Sequence, residues 1–170
     1  MSVKVTKPDA GRTILISKDI VIAAVRECCF NAITMQLEQP PQWDSIILDA
    51  WPVSIVRGQI GATSQVILNL GGKRLNSVAM ICRYRPNRAI SWVFSNRTKV
   101  REDWKVEPKA SGAVVSVNLA CEVAGGAIGR FLYKITRRKR VEQDLNKTLV
   151  HLKAVLEGGS HLTATERQRS

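Results

Sequence analysis

The sequence predicts an α+β fold: a strand and a helical region, then an antiparallel meander of six strands, then one long helix. Three observations predict it. From Trp51 to Val123 the chain is β-rich and cut by turn signals at short intervals. Near the C-terminus Val141, Leu145, Leu149, Leu152 and Leu156 step by four, four, three and four, the spacing of one helix face. Between the first strand and the meander, apolar residues also recur at helical spacing.

Taken in order, the stretch RTILIS at 12–17 is a short apolar strand. Ser17 is placed to cap a helix from Lys18 to Met35, with Val21, Val25, Cys28 and Ala32 on its apolar stripe. Pro40-Pro41 ends this region, because proline neither donates to the helix nor lets its predecessor stay helical. A second short helix is expected over Trp43–Leu48. The strands of the meander fall at 52–57, 62–70, 76–85, 88–96, 100–107 and 113–123, and their short connections imply antiparallel neighbours.

Strand alternation then sorts the faces. Ile90, Trp92, Phe94 and Asn96 share one face, opposite the more polar Ser91, Val93, Ser95 and Arg97. Val78, Met80, Cys82 and Tyr84 share a face of their strand. Trp104 and Val106 do so on the next, and Val115, Val117, Leu119 and Cys121 on the last. The final helix is expected from Ala124 to Glu157. Its first half is looser, with Gly125-Gly126 and Gly129 around Ile128, Phe131, Leu132 and Ile135, and with Lys134 and Arg138 at the edge of the stripe. Gly158-Gly159 is expected to end it. Residues 12–158 thus make a single domain, with 1–11 and 159–170 as flexible tails.

A chain of 170 residues suits one domain with a real core. No apolar run approaches the roughly 18–20 residues of a bilayer span, and the N-terminus lacks an apolar signal core. Cys28, Cys29, Cys82 and Cys121 show no metal-ligand spacing and read as reduced, buried thiols, so a cytoplasmic location is expected. The formal net charge of +12 favours anionic partners such as phospholipid headgroups, acidic proteins or nucleic acid. These charges are scattered, with one dense run at Arg137–Arg140, so they read as a solvated basic surface more than as a dedicated polyanion site, and nucleic acid is not the expected partner. The sequence says nothing about oligomeric state.

Five segments, in this order and spacing, carry a family resemblance. They are Trp43-Asp44 after the helical region, Gly61-Ala62-Thr63 opening a strand, and Pro86-Asn87-Arg88-Ala89-Ile90-Ser91-Trp92 as a hairpin. Ser111-Gly112-Ala113-Val114-Val115 and Leu149-x-x-Leu152-Lys153-x-x-x-Glu157 complete the set. The chain resembles the START-like, or SRPBCC, superfamily, and within it the polyketide cyclase/dehydrase and lipid-transport group. The resemblance implies the helix-grip fold: a curved antiparallel seven-stranded sheet around a long C-terminal helix, with two short helices after the first strand. It also implies an apolar cavity between sheet and helix that holds a hydrophobic small molecule. After Gly112 this chain reads Ala-Val-Val where many relatives carry a threonine and a basic residue, which leaves the subfamily open.

On that fold the expected cavity lining is Trp43, Met80, Cys82, Tyr84, Trp92, Phe94, Asn96, Trp104, Val117, Ile128, Phe131 and Ile135. Trp43 would sit by the entrance, and Lys134 and Arg138 would meet an anionic ligand group. Each of these also has a plain structural use: the aromatics as packed core, the cations with their stems on apolar surface and their heads in water. Asn96, Tyr84 and Asn118 are candidate polar groups of the pocket, although Asn118 lies on the opposite face of its strand from Val115, Val117 and Leu119. His151 and His161 have no acid or nucleophile beside them, so no triad is proposed. Asp44, Glu102 and Asp103 are carboxylates that would act as acids or bases only if buried. No phosphate loop or cofactor motif is present. Three functions remain open: a carrier or sensor of a lipid, isoprenoid or polyketide-like ligand; a cyclase/dehydrase-type enzyme; and a basic surface that binds an anionic membrane or nucleic acid.

Overall fold

The computed structural model describes residues 13–38, 42–95, 99–122 and 138–167. Strand β1 (Thr13–Ile22) leads into helix α1 (Arg26–Met35). The strands β2 (Ile47–Pro52), β3 (Thr63–Leu70), β4 (Lys73–Arg85), β5 (Ala89–Ser95), β6 (Val100–Lys109) and β7 (Gly112–Glu122) follow, and helix α2 spans Arg138–Arg167. The seven strands form one antiparallel sheet in the order β1-β7-β6-β5-β4-β3-β2. The meander from β2 to β7 is therefore continuous, and β1 closes onto β7 from the other end of the chain.

That closure explains the first departure from expectation. The strand expected over 12–17 runs on to Ile22, and Ser17 caps no helix. All ten residues of β1 pair with β7, from Thr13 opposite Glu122 to Ile22 opposite Ala113. Ile14, Ile16 and Ile22 are buried while Leu15, Ser17 and Asp19 are exposed, so period two holds where a period near 3.6 was read. Ten ladder positions outweigh a short apolar coincidence at helical spacing. α1 accordingly starts at Arg26 and buries Cys29, Phe30 and Ile33 instead of Val25 and Cys28.

The second short helix after the first strand is absent among the described residues. Over its expected span, Trp43 to Ser45 turn and Ile47 already belongs to β2. Asp44 causes this: its Oδ1 accepts the backbone N–H groups of Ile46 (2.7 Å) and Ile47 (3.1 Å), an Asx-type turn that competes with a helix. The strand expected at 52–57 therefore lies at 47–52, and Trp51 is near its end and exposed. Pro40-Pro41 lie outside the described residues.

α2 lays its predicted stripe, Val141, Leu145, Leu149 and Leu152, into the core. Polar ties fix its position: Lys153 Nζ donates to the Val21 carbonyl (2.9 Å), and Glu157 Oε1 accepts the Ala23 N–H (2.7 Å). The helix does not stop at Gly158-Gly159 but continues to Arg167. Glycine costs a helix about 1 kcal/mol and permits an ending without forcing one, and no proline follows.

Gly112, at the β6–β7 turn, has φ 135°. A Cβ there would strike the Ile22 carbonyl oxygen and approach Ala23 Cα to 2.9 Å, where β1 leaves the sheet. Gly112→Ala is expected to destabilise the protein by more than about 2 kcal/mol, because both backbone strain and a backbone clash oppose it. Urea unfolding at equilibrium checks this. A loss below about 0.5 kcal/mol would mean that this turn does not hold β1 in place.

Candidate functional site

One face of β5, β6 and β7 is almost wholly apolar. Ile90, Trp92 and Phe94 come from β5, Val100, Trp104 and Val106 from β6, and Val115, Val117, Leu119 and Cys121 from β7; all are buried. Strict alternation puts them on the inner side, and the register brings Trp92, Glu102 and Leu119 into one row across the strands. Glu102 is thus a carboxyl in the middle of an apolar sheet face, with no exposed surface.

Its surroundings are specific. Trp92 Nε1 donates to Glu102 Oε2 at 2.7 Å. Trp43 stands edge-on to Trp104, ring centroids 6.4 Å apart at 83°. Asp44, the residue after Trp43, is also buried. Beyond its two backbone donors, its Oδ1 accepts Thr148 Oγ1 of α2 at 3.3 Å, and Thr148 Oγ1 in turn accepts the Ser45 N–H at 2.9 Å. Three polar atoms of this cluster have no hydrogen-bond partner among the described residues: Glu102 Oε1, Asp44 Oδ2 and Trp104 Nε1. Buried polar atoms are rarely left so, which makes this cluster a candidate for the polar end of a site.

The two carboxyls do not titrate alike. Burial raises Asp44 to about 6 against the pull of its donors, the Ile46 and Ile47 N–H groups and Thr148. Burial also raises Glu102, the nearby Asp44 charge adds to this, and Trp92 and Trp104 only partly offset them, leaving it at about 8. The Trp104 indole N–H, like that of Trp92, favours the Glu102 carboxylate as a donor, although its hydrogen bond to the carboxyl lacks regular geometry. Asp44, with three donors, ionises first, and Glu102 keeps its proton at neutral pH. Such a pair holds a hydrogen-bond donor and an anion side by side in a dry place.

Of the twelve expected cavity residues, Trp43, Trp92, Phe94, Trp104 and Val117 lie together in the core on this inner side. Tyr84 is half-buried there, its ring 5.7 Å from Phe30. Met80 does not line the inner face: it is 41% exposed on the opposite side with Val78, while Ser77, Ala79 and Ile81 point inward. A β-bulge explains why these residues do not share a face. The register steps from Ile81 opposite Trp92 to Arg83 opposite Ser91, leaving Cys82 as the extra residue, so parity inverts between Met80 and Tyr84. Cys82 sits at the bulge, its thiol raised by burial and close to the charges of Arg101 and Asp103 on the outer face.

Arg138 is exposed and pairs with Glu142 at 2.9 Å on the helix surface, so it is not directed at the carboxyl pair. Asn118 lies on the outer face, opposite Asp103. Asn96, Ile128, Phe131, Lys134 and Ile135 fall outside the described residues. Sequence reasoning missed Thr148, although its place between Leu145 and Leu149 on the stripe signals an inward hydroxyl. It named Asp44 and Glu102 but had no sign of their burial. Among the described residues no group of His, Cys, Asp and Glu is arranged to hold a metal ion. No helix among them is long and apolar enough to cross a membrane.

The raised Glu102 carries a stability consequence. Between its ordinary value of 4.5 and about 8, the folded chain keeps a proton that the unfolded chain releases, so stability falls as pH rises through that window. Glu102→Gln is expected to remove its share of that slope, on the order of 2–4 kcal/mol between pH 5 and pH 8. Denaturant unfolding of both proteins at these pH values measures it. Equal slopes would place the Glu102 carboxyl in a far wetter setting.

Comparison with known proteins agrees with this architecture. A START superfamily protein from Mycobacterium smegmatis superposes with a TM-score of 0.62 at 19% identity, over 88% of this chain and 98% of that one. The di-domain ARO/CYC StfQ from the steffimycin biosynthetic pathway gives 0.68 at 12% identity, over 89% of this chain and 53% of its own length. Ara h 8.0201 gives 0.63 at 15% identity, over 85% and 97%. At these identities the likeness establishes the fold alone. No curated protein matches the sequence significantly. The family model described as polyketide cyclase / dehydrase and lipid transport matches residues 13–157. With nearly the whole chain inside that match and the START-like sheet and C-terminal helix in place, this protein belongs to the polyketide cyclase / dehydrase and lipid transport family.

Proposed function

We propose that this protein binds a hydrophobic small molecule, of lipid, isoprenoid or polyketide-like chemistry, between the inner face of its sheet and its C-terminal helix, as a carrier or sensor. The observation that carries the reading is the polar cluster on that otherwise apolar face. Glu102, its proton held by burial and by the Asp44 charge, has a carboxyl oxygen with no hydrogen bond of regular geometry, and the Trp104 indole N–H beside it is in the same position. A ligand whose apolar body covers Trp92, Phe94 and Val117 and whose carbonyl or hydroxyl oxygen accepts from Glu102 or Trp104 satisfies both demands. Aromatic walls with a few convergent polar groups are the usual make-up of a small-molecule site. Family membership supports a hydrophobic-ligand or polyketide cyclase/dehydrase-type role.

A second reading, catalysis of the cyclase/dehydrase type, draws on the split titration of the pair. Protonated Glu102 supplies a general acid and ionised Asp44 a base beside it. Most of the rate would come from holding a flexible substrate in a reactive fold.

Native mass spectrometry of the purified full-length chain, compared with its denatured mass, tests the binding that both readings require. Titration with the neutral fluorophore Nile red, followed by quenching of tryptophan emission, tests it independently. The expected results are a retained small molecule or one-to-one probe binding, and a loss of probe affinity of about tenfold or more in Trp92→Ala. Glu102→Gln separates the readings: a carrier keeps probe affinity within about threefold, whereas an enzyme keeps affinity and loses turnover of any extracted substrate. Bare protein that also rejects the probe would sink both.

A further inference from the structure

The outer face of the same sheet has a chemistry unrelated to the inner one. A cleft of about 410 Å³ runs along β6 from Asp103 to Pro108; Arg83, Arg85, Arg88, Lys105 and Asn118 line it from the outer face, and Arg26 of α1 with Trp104 and Val106 of β6 also border it. The register accounts for this convergence. Asn118, Asp103, Ser91 and Arg83 form one row across β7, β6, β5 and β4, and Ser116, Lys105, Ala89 and Arg85 form the next. The bulge at Cys82 puts Arg83 and Arg85 on this side.

The charges do not cancel locally. Asp103 is taken by a two-pronged pair with Arg101, at 2.8–3.0 Å, and Glu107 by Lys105 at 2.7 Å. Among the described residues, Arg83, Arg85 and Arg88 make no ion pair. Solvated surface arginines are ordinary. Three guanidiniums converging on one cleft with no ion pair among the described residues are not. Arg83 and Arg85 stand about 7 Å apart along β4, a spacing that lets both forks reach one phosphate or a linked pair.

We infer that this cleft is a binding site for a phosphate group, held by Arg83, Arg85 and Arg88 with Asn118 as a hydrogen-bond partner. Its arginines are none of the inner-face polar groups, and it stands whether or not the inner face binds a hydrophobic ligand. The phosphate is that of a small phosphorylated molecule or of a phospholipid headgroup, and the probes distinguish the two.

The full-length chain is titrated calorimetrically with inorganic pyrophosphate at low salt. In parallel it is co-sedimented with vesicles of phosphatidylcholine containing or lacking phosphatidylglycerol. Two double variants are compared, Arg83→Gln/Arg85→Gln in the cleft and Lys73→Gln/Lys139→Gln on exposed surface elsewhere, which remove equal charge from sites where folding does not depend on it. The cleft variant is expected to lose about tenfold or more in affinity and the control less than about twofold. Pyrophosphate binding with that pattern identifies a free phosphorylated ligand, and binding of anionic vesicles alone with the same pattern identifies a headgroup. Equal losses in both variants would reduce the effect to bulk charge and overturn the site. So would failure of the wild-type chain to bind either probe at about 5 mM pyrophosphate or on anionic vesicles.

Discussion

The Asp44 carboxylate is the joint on which the described architecture turns. Its Oδ1 holds the backbone of Ile46 and Ile47 in the turn that starts β2, and it accepts the Thr148 hydroxyl of α2. One buried oxygen therefore ties the edge of the sheet to the helix laid against it. The neighbouring Asn69 adds to the seam, donating to the Ser45 carbonyl at 3.1 Å. Burying a charge is expensive unless donors meet it, and these three donors offset part of that cost. What they leave over is passed to Glu102, whose proton is retained partly because Asp44 is an anion. The seam that positions the helix is thus also the source of the unusual chemistry on the sheet.

The sheet separates two environments by alternation alone. Along β6, Val100, Glu102, Trp104 and Val106 face the core while Arg101, Asp103, Lys105 and Glu107 face out. The bulge in β4 matters to both sides. It turns Tyr84 inward, where it meets Phe30, and directs Arg83 and Arg85 outward toward Asp103 and Lys105. Had alternation run unbroken through Cys82, the arginines would enter the apolar face and be costly there. A one-residue insertion in a strand thereby sets the character of an aromatic inner wall and a cationic outer one.

Several features were legible because they rest on local pattern. The seven strands, their antiparallel order and the inward sets Ile90, Trp92, Phe94 and Val115, Val117, Leu119 follow from alternation between recognisable turns. The Val141–Leu152 stripe follows from helical periodicity. Errors came where two periods fit the same letters. Val21 and Val25 suit a helix face, but Val21 is a strand residue opposite Val114, a partner nearly a hundred positions away in the chain. Trp43 to Leu48 reads as a helical turn until the Asp44 side chain takes over the backbone donors that a helix needs.

By itself, then, the sequence determined the class of fold, the identity of the gripping helix stripe and the aromatic inventory of the sheet, since these depend on spacing between near neighbours. Only the tertiary structure decided that Glu102 is buried, that Asp44 lies close enough to hold a proton on it, and that Met80 and Tyr84 fall on opposite faces. It also brought Arg83 and Asn118, from β4 and β7, into one row. The physical reason is common to all of these. Desolvation and charge coupling are set by atoms that meet through space, and a single bulge resets every parity beyond it, so neither is encoded in a window of adjacent residues.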